Sequence, residues 1–370
     1  MIQHVAILKT RAKSAGGLEK AAQRITDGFL KFGAKVSILT TGASNLPNVH
    51  AIQPILWPKI FQIEQFDRFV QKWVDEHRPD VVFGMDRNRF QTHIRAGNGV
   101  HAAFLKSRIL TEGKLKYLSC LLNPFHRKIL QIEKEAFENP KLRKVFTNSN
   151  KVKQEIIEHF QIDPKKIEVH YNGVEWEELK TPFDEWSVAK NQHLKNLNLD
   201  PDAFQLLFIG NGFLRKGLYP LLQALPLLKN QNFQLSIVGK DKNISKFQKL
   251  SLPSKVRFFG STPNVLPFYQ LADAVVIPSF YDPFANITVE SLAMGVPVIS
   301  SKTNGGSEIL TAQNGWVIDD LLSIESIAET IDRAMKNKKT KPQSLSIRES
   351  VQHLDFSIYF QNLIQSCDAP

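Results

Sequence analysis

The sequence predicts an α/β protein built from two Rossmann-like units in series. Three observations carry that expectation. Short β-branched runs alternate with amphipathic helical stretches through both halves of the chain, the pattern of parallel sheets covered by helices. The alternation lapses near Tyr171-Asn172-Gly173-Val174 and restarts at Leu206. The length, 370 residues, exceeds the roughly 100–200 of an ordinary single domain.

In the first half, residues 4–8 read as a strand and a Gly-containing loop follows. A helix is expected over 18–32, with Leu18, Ala21, Ala22, Ile25 and Phe29 on one face. Residues 35–39 form the next strand and 61–77 the next long helix. Arg78-Pro79-Asp80 ends that helix before a strand at 81–85. In the second half, strands are expected at 206–209, 234–238, 257–259, 274–277 and 296–300, with helices between. The Asn-Gly turn at 172–173 and a charged segment over 175–185 with little apolar periodicity mark the change of domain. A helix at 356–364 carries Tyr359, Phe360 and Leu363 as one apolar stripe. The expected division is an N-terminal domain of residues 1–170 completed by the C-terminal helix at 354–370, and a second domain of residues 171–353.

Composition narrows the class. With 42% hydrophobic and 22% charged residues, the chain matches neither a disordered tail, a coiled coil nor collagen. No apolar run approaches the roughly 18–20 residues that span a bilayer, and no secretory leader is read at the start. Cys120 and Cys367 have no metal-ligand spacing and make a poor disulfide framework, so a reducing cytoplasm is expected. The net charge of +11 is unevenly placed. Residues 1–170 hold 28 Lys and Arg against 16 Asp and Glu, and the remainder holds 19 against 20. A basic half points to an anionic partner: nucleic acid, acidic lipid or a phosphorylated substrate.

Ligands of open α/β sheets bind at the carboxyl ends of strands, where helix N-termini gather. Three loops meet that condition. Gly16-Gly17, just before the first helix, lets backbone amides approach an anion, although the pair also simply makes a turn. The full G-x-G-x-x-G spacing is missing, which disfavours NAD. The second loop runs Gly210-Asn211-Gly212-Phe213-Leu214-Arg215-Lys216-Gly217. Its two cations are of the type that clamps phosphate, Arg as a fork and Lys as a point charge. The third runs from Pro278 through Asp282 into a helix starting near Ile287 and carrying Glu290. Amides around residues 286–289 suit a phosphate, and a carboxylate accepts paired hydrogen bonds from sugar hydroxyls. The plain alternatives are a solvated basic turn, an Asp-Pro turn and a carboxylate serving the helix dipole.

Asp282 and Glu290, with seven residues between them and followed by Ser-Leu-Ala-Met-Gly-Val-Pro-Val-Ile-Ser, resemble the E-x7-E region of retaining family-4 glycosyltransferases with the GT-B fold. Gly16-Gly17-Leu18-Glu19, Asn172-Gly173-Val174 and Arg215-Lys216-Gly217 extend the resemblance over nearly the whole chain. Residues Phe83–Arg89, Phe137-Glu138 and Phe213-Leu214-Arg215-Lys216-Gly217 look similar to the subgroup of bacterial lipopolysaccharide core glucosyltransferases I. The resemblance implies two Rossmann-like domains facing each other across a cleft, with a C-terminal helix crossing back to the first. It implies that Gly16 and Gly17 approach the donor diphosphate and that Arg215 and Lys216 neutralise it. Glu290 would hold the ribose and Asp282 the hydroxyls of the transferred sugar. Amides of Phe284, Ala285 and Asn286 would line the sugar, and those of Ile287 and Thr288 the diphosphate. The first acid is Asp rather than Glu, one methylene shorter. His101, in a Gly-rich turn, stands where many relatives carry a histidine near the sugar, and ranks below the acids.

The expected activity is metal-independent transfer of a hexose, glucose by resemblance, from a UDP-sugar onto a cell-envelope glycolipid, with retention of configuration. No cofactor is expected beyond the donor, and no D-x-D metal motif lies in a suitable loop. A soluble sugar acceptor, a UDP-sugar epimerase of the same fold and a nucleic-acid-binding protein remain as rivals, although no RNA- or DNA-binding motif appears. Residues 104–128 interleave Lys106, Arg108, Lys114, Lys116, Arg127 and Lys128 with apolar side chains. That mixture suits an anionic bilayer surface or, equally, a helix pair packed on its own sheet. A monomer attached peripherally to the inner face of the cytoplasmic membrane is the corresponding expectation.

Overall fold

The computed structural model describes residues 2–11, 17–42, 48–53 and 59–368. It divides the chain into one compact unit of Met1–Tyr171 with Ser357–Pro370, and another of Asn172–Phe356.

The first unit begins with β1 (His4–Arg11), α1 (Gly17–Lys31), β2 (Lys35–Thr41), β3 (Val49–Ile52) and α2 (Lys59–His77). It continues through β4 (Val81–Gly84), β5 (His93–Arg95), α3 (His101–Glu112), α4 (Lys114–Leu122) and α5 (Pro124–Phe137). It closes with β6 (Lys144–Thr147), α6 (Asn150–His159) and β7 (Ile167–Val169). All neighbouring strands are parallel, in the order β3-β2-β1-β4-β5-β6-β7. β1 is central because Val5, Ala6, Ile7 and Leu8 are all buried, the unbroken apolar run of a strand covered on both faces. α5 starts where Asn123 accepts a hydrogen bond from the Phe125 amide and Pro124 takes the first helical position. α6 starts on Ser149, whose hydroxyl accepts from Val152.

The second unit holds α7 (Lys180–Asn196), β8 (Phe204–Ile209), α8 (Leu218–Ala224), β9 (Phe233–Val238), α9 (Ile244–Leu250) and β10 (Val256–Gly260). There follow α10 (Leu266–Leu271), β11 (Ala274–Ile277), α11 (Asn286–Ala293), β12 (Val298–Ser301), β13 (Gly315–Ile318), α12 (Ile324–Ala334) and α13 (Lys341–Glu349). Its sheet is also parallel, ordered β10-β9-β8-β11-β12-β13. In each sheet the chain winds outward on one side of a central strand and then returns to the other. The order therefore reverses between β1 and β4, and again between β8 and β11. Such reversal points open a crevice at the carboxyl ends of the strands.

The final helix, α14 (Phe356–Asp368), lies almost wholly in the first unit. Phe360 and Ile364 pack against Gly28 of α1, and the Tyr359 hydroxyl accepts from Arg95 Nε at 3.2 Å. Tyr359 and Leu363 are buried as the apolar stripe requires, and Phe360 is half-buried. On α1, Ile25 and Phe29 are buried, while Leu18, Ala21 and Ala22 lie outside the residues whose side chains are described. The charged segment over 175–185, expected to mark the change of domain, enters α7 at Lys180. Its charged surface hides a sparse apolar face of Phe183, Trp186 and Leu194, all buried.

Candidate active site

The loops after β8 and β11 flank the reversal point of the second sheet, and their backbones touch. The Phe280 amide donates to Arg215 O at 2.9 Å. Gly217 has φ +75°, and a Cβ there would fall 1.7 Å from Pro278 O, so only glycine lets the two loops approach this closely. The β8 loop is held from below by Asp241, whose carboxylate accepts from the Phe213 amide at 2.7 Å.

Arg215, Lys216 and Asp282 meet at this junction. Lys216 Nζ lies 2.5 Å from Asp282 Oδ2, and Arg215 Nη1 lies 3.4 Å from the same oxygen. Arg215 Nη1 also donates to Tyr281 O at 2.8 Å. The Asp282 side chain is 10% exposed, that of Lys216 12% and that of Arg215 38%. The loop under Asp282 is fixed on both sides: its amide donates to Thr303 O at 3.1 Å and its carbonyl accepts from Gly305 at 2.9 Å.

Glu290 lies one turn into α11 and is half-buried. The hydroxyl of fully buried Tyr269 donates to its Oε2 at 2.9 Å. Burial first, and then the neighbouring Glu290 charge, drive the Tyr269 pKa well above its ordinary value, so the phenol stays protonated and fixes the carboxylate. The first turn of α11 is narrower as an anion site than the sequence suggests. Ala285 caps the helix without a side-chain bond, and its amide donates to Asn304 Oδ1 at 2.9 Å. The Thr288 amide donates to Ala285 O at 2.9 Å. Of the four amides that a helix start cannot pair internally, at most those of Asn286 and Ile287 face an incoming anion. The expectation that Ala285 and Thr288 also offer amides is therefore corrected by bonds within the loop itself.

Asn304 is the residue that sequence reasoning missed. It is fully buried, accepts from the amides of Ala285 and Gly306, and donates to Thr288 Oγ1 at 3.2 Å and Ser300 Oγ at 2.9 Å. One side chain thus ties the end of β12 to the start of α11. The signal available was Asn304-Gly305-Gly306 directly after a buried strand. Asn172 plays a related part, donating to Asn286 Oδ1 at 2.7 Å. At the other end of α11 two buried basic side chains cap the last carbonyls. Arg348 donates to Ala293 O at 2.5 Å, and Lys339 to Met294 O at 3.2 Å.

In the first unit Gly16 lies outside the described residues, and Gly17 opens α1. His101 is the first residue of α3 and is 8% exposed. Its amide donates to both oxygens of buried Glu133, at 3.0 and 2.9 Å, and its Nε2 lies 3.0 Å from His126 Nδ1. Burial, reinforced by Arg87 and His126, lowers its pKa to about 3, so the imidazole is neutral near pH 7. A pocket at the carboxyl ends of β4 and β5 is lined by Asp86, Arg87, Gln91, Arg95, Asn98 and Glu133. Arg87 Nε lies 2.6 Å from Glu133.

The basic segment over 104–128 divides in the structure. Arg108 is paired with Glu112 at 2.5 Å and Lys128 with Glu64 at 2.7 Å, so two of its six cations are neutralised locally. Lys106, Lys114, Lys116 and Arg127 are exposed. α4 turns Leu115, Leu118 and Leu122 outward at 84%, 53% and 77% exposure, spaced as one helical face. Among the described residues no helix is long and apolar enough to cross a membrane.

Two parallel-sheet α/β units in one chain, each doubly wound, are the architecture of a GT-B glycosyltransferase. Residues 15–178 match the family model Glycosyltransferase Family 4, and residues 189–349 match Glycosyl transferases group 1. The chain belongs to the family-4 glycosyltransferases of GT-B fold. It is 27% identical over 350 residues to the uncharacterized glycosyltransferase MJ1607 of Methanocaldococcus jannaschii, covering 87% of this chain and 86% of that protein. It is 24% identical over 301 residues to the lipopolysaccharide glucosyltransferase WaaG of Escherichia coli K12, covering 78% and 76%. The crystal structure of WaaG, a glycosyltransferase involved in lipopolysaccharide biosynthesis, matches with a TM-score of 0.78 at 20% identity, over 99% of this chain and all of that one. HepE of Anabaena, solved with UDP-glucose, matches with a TM-score of 0.70 at 14% identity, over 98% of each chain.

Proposed function

We propose that this glycosyltransferase moves a hexose, glucose in the first instance, from a UDP-sugar onto a glycolipid of the lipopolysaccharide-core type, with retention and without a metal. The observation that carries the reading is the meeting of Arg215, Lys216 and Asp282 beside the start of α11, with Glu290 one turn along. The two cations would neutralise the diphosphate as it leaves, the task that Mg²⁺ performs elsewhere. Glu290, held by Tyr269, would accept from the ribose hydroxyls, and Asp282 from those of the sugar. The acceptor hydroxyl would then attack the face from which the diphosphate departs. The relation to WaaG supports the acceptor class, and UDP-glucose bound to HepE supports the donor.

Incubation with UDP-glucose, UDP-galactose and UDP-N-acetylglucosamine, followed by assay of free UDP, tests the class. Slow UDP release from at least one donor is expected even without acceptor. An inverted sugar still attached to UDP would indicate an epimerase. Nucleic-acid binding with no UDP release from any donor would leave the chain a binding protein.

A lipid-linked acceptor requires the enzyme to reach a bilayer, and we assign that contact to α4, on the cytoplasmic face of the membrane. Leu115, Leu118 and Leu122 would enter the headgroup boundary, with Lys106, Lys114, Lys116 and Arg127 among anionic headgroups. Four cations at about 1 kcal/mol each give reversible attachment. Sedimentation with anionic vesicles, released by salt, is expected, with little on neutral ones. Changing the four cations to Gln should abolish it and leave UDP affinity unaltered. Equal binding to both vesicle types, or to neither, would remove α4 from the account.

A further inference from the structure

The donor reading gives Arg215 and Lys216 to the diphosphate and Asp282 to the sugar, yet the structure joins all three in one ion cluster. Asp282 Oδ2 takes Lys216 at 2.5 Å and Arg215 at 3.4 Å. The two assignments compete. A diphosphate drawn to the cations brings its charge close to a carboxylate that is already using them, in a place where little water screens the repulsion.

The backbone decides which partner moves. Asp282 has a short side chain on a loop fixed by Thr303 and Gly305, and it lies almost wholly inside the protein. Lys216 and Arg215 have long side chains, and Arg215 is the most exposed of the three. The cations can therefore swing while the carboxylate stays in place. A carboxylate occupied by two cations is also a poor acceptor for sugar hydroxyls, and it becomes a good one when they leave.

We propose that Asp282 is the resident counter-ion of the diphosphate site, exchanged on donor binding: the diphosphate takes Lys216 and Arg215, and the vacated carboxylate then reads the sugar. This rests on the donor reading above and adds an order to it, with phosphate capture opening sugar recognition. It also gives Asp in place of the longer Glu a physical sense, because the short side chain keeps the carboxylate over the cations when no donor is present.

The inference makes an unusual demand of one substitution. Asp282→Asn should raise affinity for UDP, about three- to tenfold by loss of the competing pair, while UDP-glucose turnover falls. Titration calorimetry with UDP, and separately with inorganic pyrophosphate, measures this in wild type, Asp282→Asn and Asp282→Ser, each checked for an unchanged melting temperature. The gain should shrink by at least half in a Lys216→Met background, since the ion it releases is then missing. A gain of the same size there would mean a general field effect, and no gain, or a loss, in the single variants would refute the exchange. If pyrophosphate binds and gains but UDP never binds, the counter-ion stands and the nucleotide reading fails. If UDP binds equally in all Asp282 variants, the nucleotide reading stands and the counter-ion fails. If neither ligand binds wild type or variants, both are wrong.

Discussion

Replacing Arg215 or Lys216 with alanine is expected to weaken UDP binding ten- to a hundredfold each without unfolding the protein. A hydrogen bond from a charged donor to a phosphate contributes about 1.5–3 kcal/mol, and each 1.4 kcal/mol is a tenfold change. Neither side chain supports the core: both sit on the loop after β8, and the fold of that loop is set by Gly217 and by Asp241. Loss of one cation leaves Asp282 a partner in the other, so the buried carboxylate is not stranded. Turnover should fall further than affinity, because charge on the diphosphate grows as the sugar bond breaks. Calorimetric UDP affinity unchanged in both variants would place the phosphate site elsewhere.

Glu290→Gln should lower affinity for UDP itself, by about tenfold or more, because a carboxylate bound to ribose acts whether or not a sugar is attached. The substitution keeps the side-chain length and an oxygen for the Tyr269 hydroxyl, which lies 2.9 Å from Oε2. Only the charge and half of the accepting capacity are lost. Tyr269→Phe separates orientation from charge, since it removes the bond that fixes the carboxylate but leaves the carboxylate present. Its effect should have the same sign and smaller size. Normal UDP affinity in Glu290→Gln, with loss only of sugar turnover, would reverse the assignment of the two acids.

The sequence displayed the central strands of both sheets because parallel strands covered on two faces are continuous apolar runs, as in Val5–Leu8 and the strand ending at Ile209. Strands of three or four residues with polar members, such as His93–Arg95 and Ile167–Val169, lack enough periodicity to be seen. α7 escaped for a related reason, its three buried residues being scattered among charges. The site loops were legible by residue type and by their position after strands. Their pairing was not, because Lys216 and Asp282 lie 66 positions apart and nothing local records that they share an oxygen. Asn304 was hidden likewise: an Asn before two glycines reads as a turn, and only the fold reveals that it ties four groups together. In α4, apolar spacing alone suggested a packed face as readily as an outer one. The tertiary arrangement leaves Leu115 and Leu122 exposed.

The most direct test is a transfer reaction with UDP-glucose and a lipopolysaccharide-core glycolipid, run with EDTA and read by NMR at the new anomeric carbon. Transfer undiminished by EDTA, with an α-linked glucose matching the donor configuration, is the expected result. A β-linked product, or activity lost in EDTA and restored by Mg²⁺, would contradict retaining transfer driven by Arg215, Lys216 and α11.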